Sequence, residues 1–369
     1  MNNMKERLEF HQLEISDIKQ ETIDAVSIAF QVPENLRQKY NFLAGQYLTL
    51  RADVDGEDLR RPYSICTSQN EGELRVCVKK VEQGRFSTFA NDILKQGDIL
   101  NVMTPSGKFV HDSNANDNVE QHYVGIAGGS GITPILSILK TVLDQNPSAF
   151  FTLFYGNRTN ASIIFRKQIA GLKNVYMSRL NVCHILSDED VESEIFSGLM
   201  DSQKVETLIS NFTQPQEISH FYICGPGPMM KGAEDALVRL KVKSQNISVE
   251  NFVTAAPSST ASGKQKILND EAQESGFIAE VTIIADGDSK IIKMNSEDSI
   301  LDKGNDALMD LPFACKGGIC CTCRAKLLEG KVYMAVTTGL EQEEIDAGFI
   351  LTCQAKPLSD KLVVDFDIA

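Results

Sequence analysis

Pro312-Phe-Ala-Cys315-Lys-Gly-Gly-Ile-Cys320-Cys-Thr-Cys323-Arg-Ala-Lys326 sets three cysteines at C-x4-C-x2-C, and a fourth, Cys353, follows after 29 residues. This is the spacing of plant-type 2Fe-2S centres, in which four thiolates hold two irons inside a folded loop. Gly317 and Gly318 lie between the first two ligands, where small residues let backbone N–H groups approach the sulfurs and tune the reduction potential. A zinc site with four cysteine ligands is the competing reading, but zinc sites pair their ligands in two short knuckles and this arrangement does not. Cys321 breaks the spacing and reads as a non-ligating neighbour. Cys66, Cys77 and Cys183 have no partner spacing and read as buried core thiols.

The cluster loop sits in a short strand-turn-strand-helix pattern from Phe277 onward, with an Asp286-Gly287 turn and a helix ending before Pro312. This predicts a small α+β domain over 277–369. Upstream, residues 254–276 include Ala-Ala-Pro-Ser-Ser-Thr-Ala-Ser-Gly-Lys and show no apolar period, so they read as a linker. A flexible tether of that length reaches roughly 23 to 28 Å in root mean square. From Leu8 to Val110, short strands with regular turns predict an antiparallel barrel over 8–112. From His122 the pattern changes to buried strands alternating with helical spacing, as in Tyr123-Val-Gly-Ile-Ala followed by Ile135, Leu136, Ile138, Leu139 and Leu143. That predicts an α/β domain with a parallel sheet over 118–253.

The chain has 369 residues, enough for two or three domains, and its 42% apolar and 23% charged content is that of a globular protein. A net charge of −14 disfavours nucleic acid and anionic membranes as partners. The start shows no secretory pattern, and Gly125–Leu143 suits a strand, a glycine turn and a helix better than a membrane span. A cytoplasmic location is the expectation, and there nine cysteines ask for a metal or redox reading before a disulfide one.

A 2Fe-2S centre moves single electrons, so the other domains should explain their source. Gly125-Ile-Ala-Gly-Gly-Ser-Gly-Ile-Thr-Pro134 joins a buried strand to a helix and brings backbone N–H groups and a helix N-terminus where a pyrophosphate would sit. It is not the G-x-G-x-x-G fingerprint, and on its own it also reads as a tight turn without a ligand. Arg61-Pro-Tyr63-Ser64 offers a cation, an aromatic ring and a hydroxyl, suited to a diphosphate, a flat ring and its edge, although a plain surface strand carries such residues too. Cys224-Gly225-Pro-Gly-Pro-Met229 is a turn at the end of a buried strand, where open α/β sheets bind ligands. Cys183-His184 lacks a third group and carries no nucleophile reading.

In this order, the motifs resemble the ferredoxin-NADP reductase superfamily with a C-terminal plant-type ferredoxin domain, over nearly the whole chain. Within it, Pro312–Lys326 and Ala347-Gly-Phe-Ile-Leu-Thr-Cys-Gln-Ala355 are similar to the tail of the phenylacetyl-CoA epoxidase reductases. The resemblance implies an FAD-binding β-barrel, an NAD(P)-binding α/β domain and a β-grasp ferredoxin domain. It implies Arg61 on the FAD pyrophosphate, Tyr63 against the isoalloxazine and Ser64 near its N5, with Gly84, Ser87 and Thr88 cradling the pyrophosphate. Gly128, Gly129, Gly131, Thr133 and Pro134 match the nicotinamide-nucleotide loop, and Cys224 with Gly225 would lie by the nicotinamide. Glu250 and Phe252 match an E-x-F that closes the reductase part, with Asn251 where arginine is often found.

The implied activity is electron transfer from NAD(P)H through FAD and the cluster to a multicomponent oxygenase, first a phenylacetyl-CoA epoxidase, then other di-iron or Rieske oxygenases. A redox-sensing electron carrier is the alternative. NADPH is expected over NADH, because Gly156-Asn-Arg158-Thr159 presents no acid for a ribose 2′-hydroxyl and Arg158 or Arg166 would meet a 2′-phosphate. Residues 277–369 hold 16 acidic and 9 basic residues, a net −7, which reads either as a solvated surface or as a docking face for a basic partner.

Overall fold

Six strands, β1 (Phe10–Thr22), β2 (Ala25–Gln31), β3 (Tyr47–Val54), β4 (Glu57–Ser64), β5 (Leu74–Lys79) and β6 (Ile99–Met103), form an antiparallel sheet in the order β4-β3-β6-β1-β2-β5. The sheet curls until its two edge strands meet, with an isolated bridge between Ile65 and Val76. Alternating residues such as Leu48, Leu50, Val76 and Val78 point inward, and helix α1 (Arg85–Asp92) adds Phe86 and Ala90 to the same core. This period of two is what a sheet with one buried face requires. The computed structural model describes residues 9–111, 120–252 and 277–368.

After the barrel, β7 (Gln121–Gly128), α2 (Ile132–Gln145), β8 (Ala149–Asn157), α3 (Arg166–Val175), β9 (Leu180–Leu186), α4 (Ser202–Phe212), β10 (Ile218–Gly225), α5 (Gly227–Arg239) and β11 (Ile247–Asn251) alternate along the chain. Every neighbouring strand pair is parallel, in the order β11-β10-β7-β8-β9. The order reverses between β7 and β10, and the carboxyl ends of those two strands form the crevice where sheets of this kind take ligands. Because both faces are covered, Val124, Ile126, Ile223 and their neighbours are apolar on both sides. One apolar cluster joins α2 to barrel residues Ala25, Ala44, Cys66, Cys77 and Phe109, so barrel and sheet share a dry interface.

The chain divides into two compact units, Met1–Phe252 and Val253–Ala369. In the second, β12 (Ile278–Ala285), β13 (Asp288–Asn295), α6 (Ile300–Asp306), β14 (Arg324–Glu329), β15 (Val332–Met334), α7 (Gln342–Asp346), β16 (Phe349–Leu351), β17 (Ala355–Pro357) and β18 (Lys361–Asp365) follow in sequence. A mixed sheet in the order β13-β12-β18-β14-β16 packs against α6 through Ile283, Ile300, Leu301 and Val364. The Asp286-Gly287 turn falls where expected, with both residues at positive φ. The expected linker at 254–276 lies outside the described residues. No helix among the described residues is long and apolar enough to cross a membrane.

Candidate functional site

Arg61, Tyr63 and Ser64 close strand β4, whose register with β3 sets Tyr63 opposite Leu48 and Ser64 opposite Tyr47. Arg61 donates to the Arg60 carbonyl at 2.8 Å, and no described carboxylate forms an ion pair with it. The Tyr63 ring leans on Phe86 with centroids 5.7 Å apart, and burial pushes its hydroxyl above the ordinary phenol range. Ser64 is 3% exposed and its Oγ has no hydrogen-bond partner; the Thr49 hydroxyl, on the neighbouring strand, shares that condition. A buried hydroxyl without a partner is costly, so Ser64 fits a site that a polar ligand atom completes.

Gly84 is the N-cap of α1, with Ser87 and Thr88 in its first turn. Ser87 Oγ accepts from the Val81 N–H at 3.1 Å and donates to the Gly84 carbonyl at 3.1 Å. A Cβ on Gly84 would fall 2.3 Å from Val81 Cγ2 and 2.4 Å from Ser87 Oγ, so the turn is tight by construction.

Gly128 ends β7, and Gly129–Gly131 make one 3-10 turn before α2. Thr133 lies in the first turn of α2, where its Oγ1 donates to the Ser130 carbonyl at 3.0 Å, and Pro134 follows where a missing N–H costs nothing. A Cβ on Gly131 would fall 2.1 Å from the Cys224 carbonyl oxygen, and one on Gly225 would fall 2.9 Å from the Gly128 nitrogen. The two turns therefore touch backbone to backbone across the reversal point. One side chain braces this turn and a second lies near it, without any motif to announce them. Tyr155 donates its hydroxyl to the Gly129 carbonyl at 3.0 Å, and Lys79 Nζ lies 4.0 Å from where a Gly129 Cβ would stand.

Parallel register pairs Cys224 with Glu250, so the two side chains share a face. Burial, together with the nearby Glu250 carboxylate, pushes the Cys224 thiol up, so it is a neutral thiol. Burial raises the Glu250 carboxyl to about 7. Phe252 follows β11 and is 39% exposed. Arg158 and Arg166 are both exposed beyond the end of β8. The fold also brings an acid to that end, which the linear sequence does not show: Glu189 accepts from the Asn160 N–H at 2.6 Å, and the Asp188 N–H donates to the Arg158 carbonyl at 2.9 Å.

In the second unit, the loop between α6 and β14 carries Cys315, Cys320 and Cys323, and Cys353 follows β16. The Cys315 N–H donates to Cys320 Sγ at 3.4 Å and the Gly317 N–H to Cys315 Sγ at 3.2 Å. The Cys320 thiol, then backbone N–H groups, pull the Cys315 thiol below its ordinary range; the Cys323 thiol, with the Gly318 N–H, does the same for Cys353. Thr352 donates its hydroxyl to the Cys323 carbonyl at 2.8 Å, and Gln354 donates its amide to the Lys316 carbonyl at 2.9 Å, which hold the fourth cysteine to the loop. Within each pair the partner, Cys320 or Cys323, is pushed up by the thiol it shares a hydrogen bond with and by burial; amide donors on sulfur suit an iron–sulfur cluster. Cys321 turns away, its thiol donating to the Gly339 carbonyl.

Comparison with known proteins identifies three domains. Residues 12–111 match the oxidoreductase FAD-binding domain, 126–235 the oxidoreductase NAD-binding domain and 283–358 the 2Fe-2S iron-sulfur cluster binding domain. The chain is 42% identical over 359 residues to one of the subunits of the 1,2-phenylacetyl-CoA epoxidase of Escherichia coli, covering 97% of this chain and 98% of that one. It is 33% identical over 364 residues to the ferredoxin reductase component of the 3-ketosteroid-9-alpha-monooxygenase of Mycobacterium tuberculosis, covering 96% of each. The solved structure of phthalate dioxygenase reductase shares the fold, with a TM-score of 0.60 and 23% identity over 97% of this chain and 98% of that one. The chain belongs to the family of oxidoreductases that join an FAD-binding half-barrel, a pyridine-nucleotide domain and a C-terminal 2Fe-2S domain as the reductase components of oxygenases.

Proposed function

We propose that this reductase takes electrons from NADPH and delivers them to a di-iron phenylacetyl-CoA epoxidase in the cytoplasm. The observation that carries the site reading is the buried, unpartnered Ser64 Oγ at the end of β4, in line with Arg61 and Tyr63. In this reading Arg61 holds the FAD pyrophosphate with Gly84, Ser87 and Thr88, Tyr63 lies along the isoalloxazine, and Ser64 donates toward its N5. Gly128, Gly129, Gly131, Thr133 and Pro134 receive the nucleotide pyrophosphate, with Cys224 and Gly225 beside the nicotinamide and Glu250 and Phe252 closing the flavin side. Cys315, Cys320, Cys323 and Cys353 ligate the cluster. Bound FAD supplies the exchange between two-electron and one-electron chemistry, and the residues supply placement and a dry setting. The domains run 8–112, 118–253 and 277–369, with 254–276 as a tether that keeps the ferredoxin domain at roughly millimolar effective concentration.

Arg158 and Arg166 favour NADPH through its 2′-phosphate. Asp188 and Glu189 at the same strand end favour NADH, since a carboxylate there accepts from a ribose 2′-hydroxyl and repels a phosphate. The identity of the relative from Escherichia coli supports the epoxidase as acceptor. The acidic 277–369 segment, at net −7, suits docking on a basic surface.

An anaerobic visible spectrum, followed on mixing with NADPH and separately with NADH, tests the donor. Flavin and cluster bands bleached faster by NADPH support the reading, and faster bleaching by NADH moves the donor assignment to Asp188 and Glu189. Product formed with the epoxidase oxygenase component, and not with a Rieske oxygenase, supports the acceptor; the reverse overturns it.

A further inference from the structure

Helix α2 buries a lysine together with its apolar residues. Lys140 is 4% exposed, on a helix whose Ile135, Leu136, Ile138, Leu139 and Leu143 are at most 1% exposed. A methionine or leucine would fill that space without removing an ammonium group from water, so the charge calls for a reason other than stability. Its Nζ donates to the Cys66 carbonyl at 3.0 Å and to Glu71 Oε2 at 3.0 Å. One turn earlier Ser137, fully buried, donates to the Thr67 carbonyl at 2.6 Å. Glu71 in turn accepts from the Ser68 N–H at 2.7 Å, which closes the turn that the lysine grips.

All of these acceptors belong to the barrel, in the segment that directly follows Ser64. Ile65, fully buried and bridged to Val76, separates Ser64 from Cys66, leaving that short stretch little room to move by itself. At its other end α2 begins at Ile132, next to Gly131, whose missing Cβ lets it lie against the Cys224 carbonyl. Eight residues of helix, about 12 Å, therefore connect the nucleotide turn to the segment that holds Ser64.

We propose that Lys140, with Ser137, is a positioning residue that fixes the nucleotide turn in register with the flavin motif, so that the nicotinamide and flavin rings meet at a reactive distance. The apolar contacts of this interface permit small slides, because hydrophobic packing has no direction, whereas three hydrogen bonds to fixed acceptors do not. The proposal rests on the site reading above, with Ser64 on the flavin and Gly128–Gly131 on the nucleotide.

The test compares full-length holoprotein, wild type with Lys140→Met and Ser137→Ala, in anaerobic rapid mixing with NADPH or NADH, whichever reduces the wild type faster. Lys140→Met leaves Glu71 at the surface, and Ser137→Ala changes little volume, so the second variant carries the test if the first does not fold. The expected result is a limiting rate of flavin reduction lowered by ~10-fold for Lys140→Met and less for Ser137→Ala, as for a small misplacement of reacting groups. Nucleotide Kd stays within about twofold, the long-wavelength absorbance of the nucleotide–flavin complex weakens, and amide hydrogen exchange quickens across residues 65–71. Unchanged limiting rates and absorbance in both folded variants would overturn the clamp and leave the site reading intact. A wild-type flavin that neither nucleotide reduces would overturn the site reading and the clamp with it.

Discussion

The nucleotide turn and the cluster loop are both rich in glycine, and glycine serves a different end in each. At the turn, the chain's own backbone excludes a side chain: a Cβ on Gly131 would fall 2.1 Å from the Cys224 carbonyl oxygen and one on Gly225 2.9 Å from the Gly128 nitrogen. In the cluster loop, Lys316 and Cys321 take positive φ alongside Gly318, and the atoms nearest a Gly318 Cβ belong to the side chains of Gln354 and Val336. The loop's N–H groups from Cys315 and Gly317 end on sulfur, not on carbonyl oxygen. Packing builds the first site, whereas the second aims its N–H groups at sulfur. The turn should therefore keep its shape whether or not nucleotide is bound, while order in the loop is coupled to the cluster.

The largest effect expected from this contrast is at Cys320. Cys320→Ser removes a proposed ligand, so the cluster bands should vanish from the visible spectrum and the second unit should melt lower by roughly 10 °C, as a loss of about 2 kcal/mol produces in a domain of this size. Flavin reduction by nucleotide should stay within about twofold of wild type. A cluster spectrum that survives would break the contrast.

Gly131→Ala should act in the opposite unit. Gly131 sits at φ −61, so alanine meets no backbone strain there, only the Cys224 peptide. Overpacking of that kind costs about 1–3 kcal/mol. Differential scanning calorimetry should show the first unit destabilised by that amount, with weaker nucleotide binding and an unchanged cluster spectrum. A neutral variant would mean that the turn yields as easily as a loop.

The remaining effect is a pH dependence confined to the first unit. The Glu250 carboxyl rises from 4.5 to about 7 on burial, so between those values the folded chain binds more protons than the unfolded one. Stability from this group is full below about 4.5 and is lost as pH rises through about 7. Glu250→Gln should melt with wild type at pH 5 and above it at pH 8, with flavin and cluster both loaded. The same offset at both values would remove Glu250 as the cause.

What the sequence reveals divides along the same line. The four cysteines proposed as cluster ligands stand out in the sequence because three of them lie within nine residues at a spacing characteristic of 2Fe-2S centres. The strand-turn-helix character of residues 121–145 is legible from its change of period, and the barrel from its short strands. The opposition of Cys224 and Glu250 is not, since it depends on β11 lying beside β10 in parallel register, and a linear pattern does not fix strand order. Lys79 beside Gly129, Lys140 on Cys66 and Glu189 at the end of β8 are hidden for the same reason. Each is a charged residue that reads as surface until distant segments close over it or draw it in. The unpartnered hydroxyl of Thr49 carries no pattern at all.

Strand β18 has a further consequence, for the order in which the protein is made. It is the last described strand to leave the ribosome, yet it lies in the middle of its sheet, parallel to β12 and antiparallel to β14. The first unit has all its strands by Asn251, about 110 residues earlier, and at ~5–20 residues per second that is a lead of roughly 5 to 20 s. The second unit lacks its central strand until that interval ends, and Cys315, Cys320, Cys323 and Cys353 are all made within its second half. The electron-collecting half of the molecule is thus finished before the delivering half can close, and maturation runs in the same direction as the current.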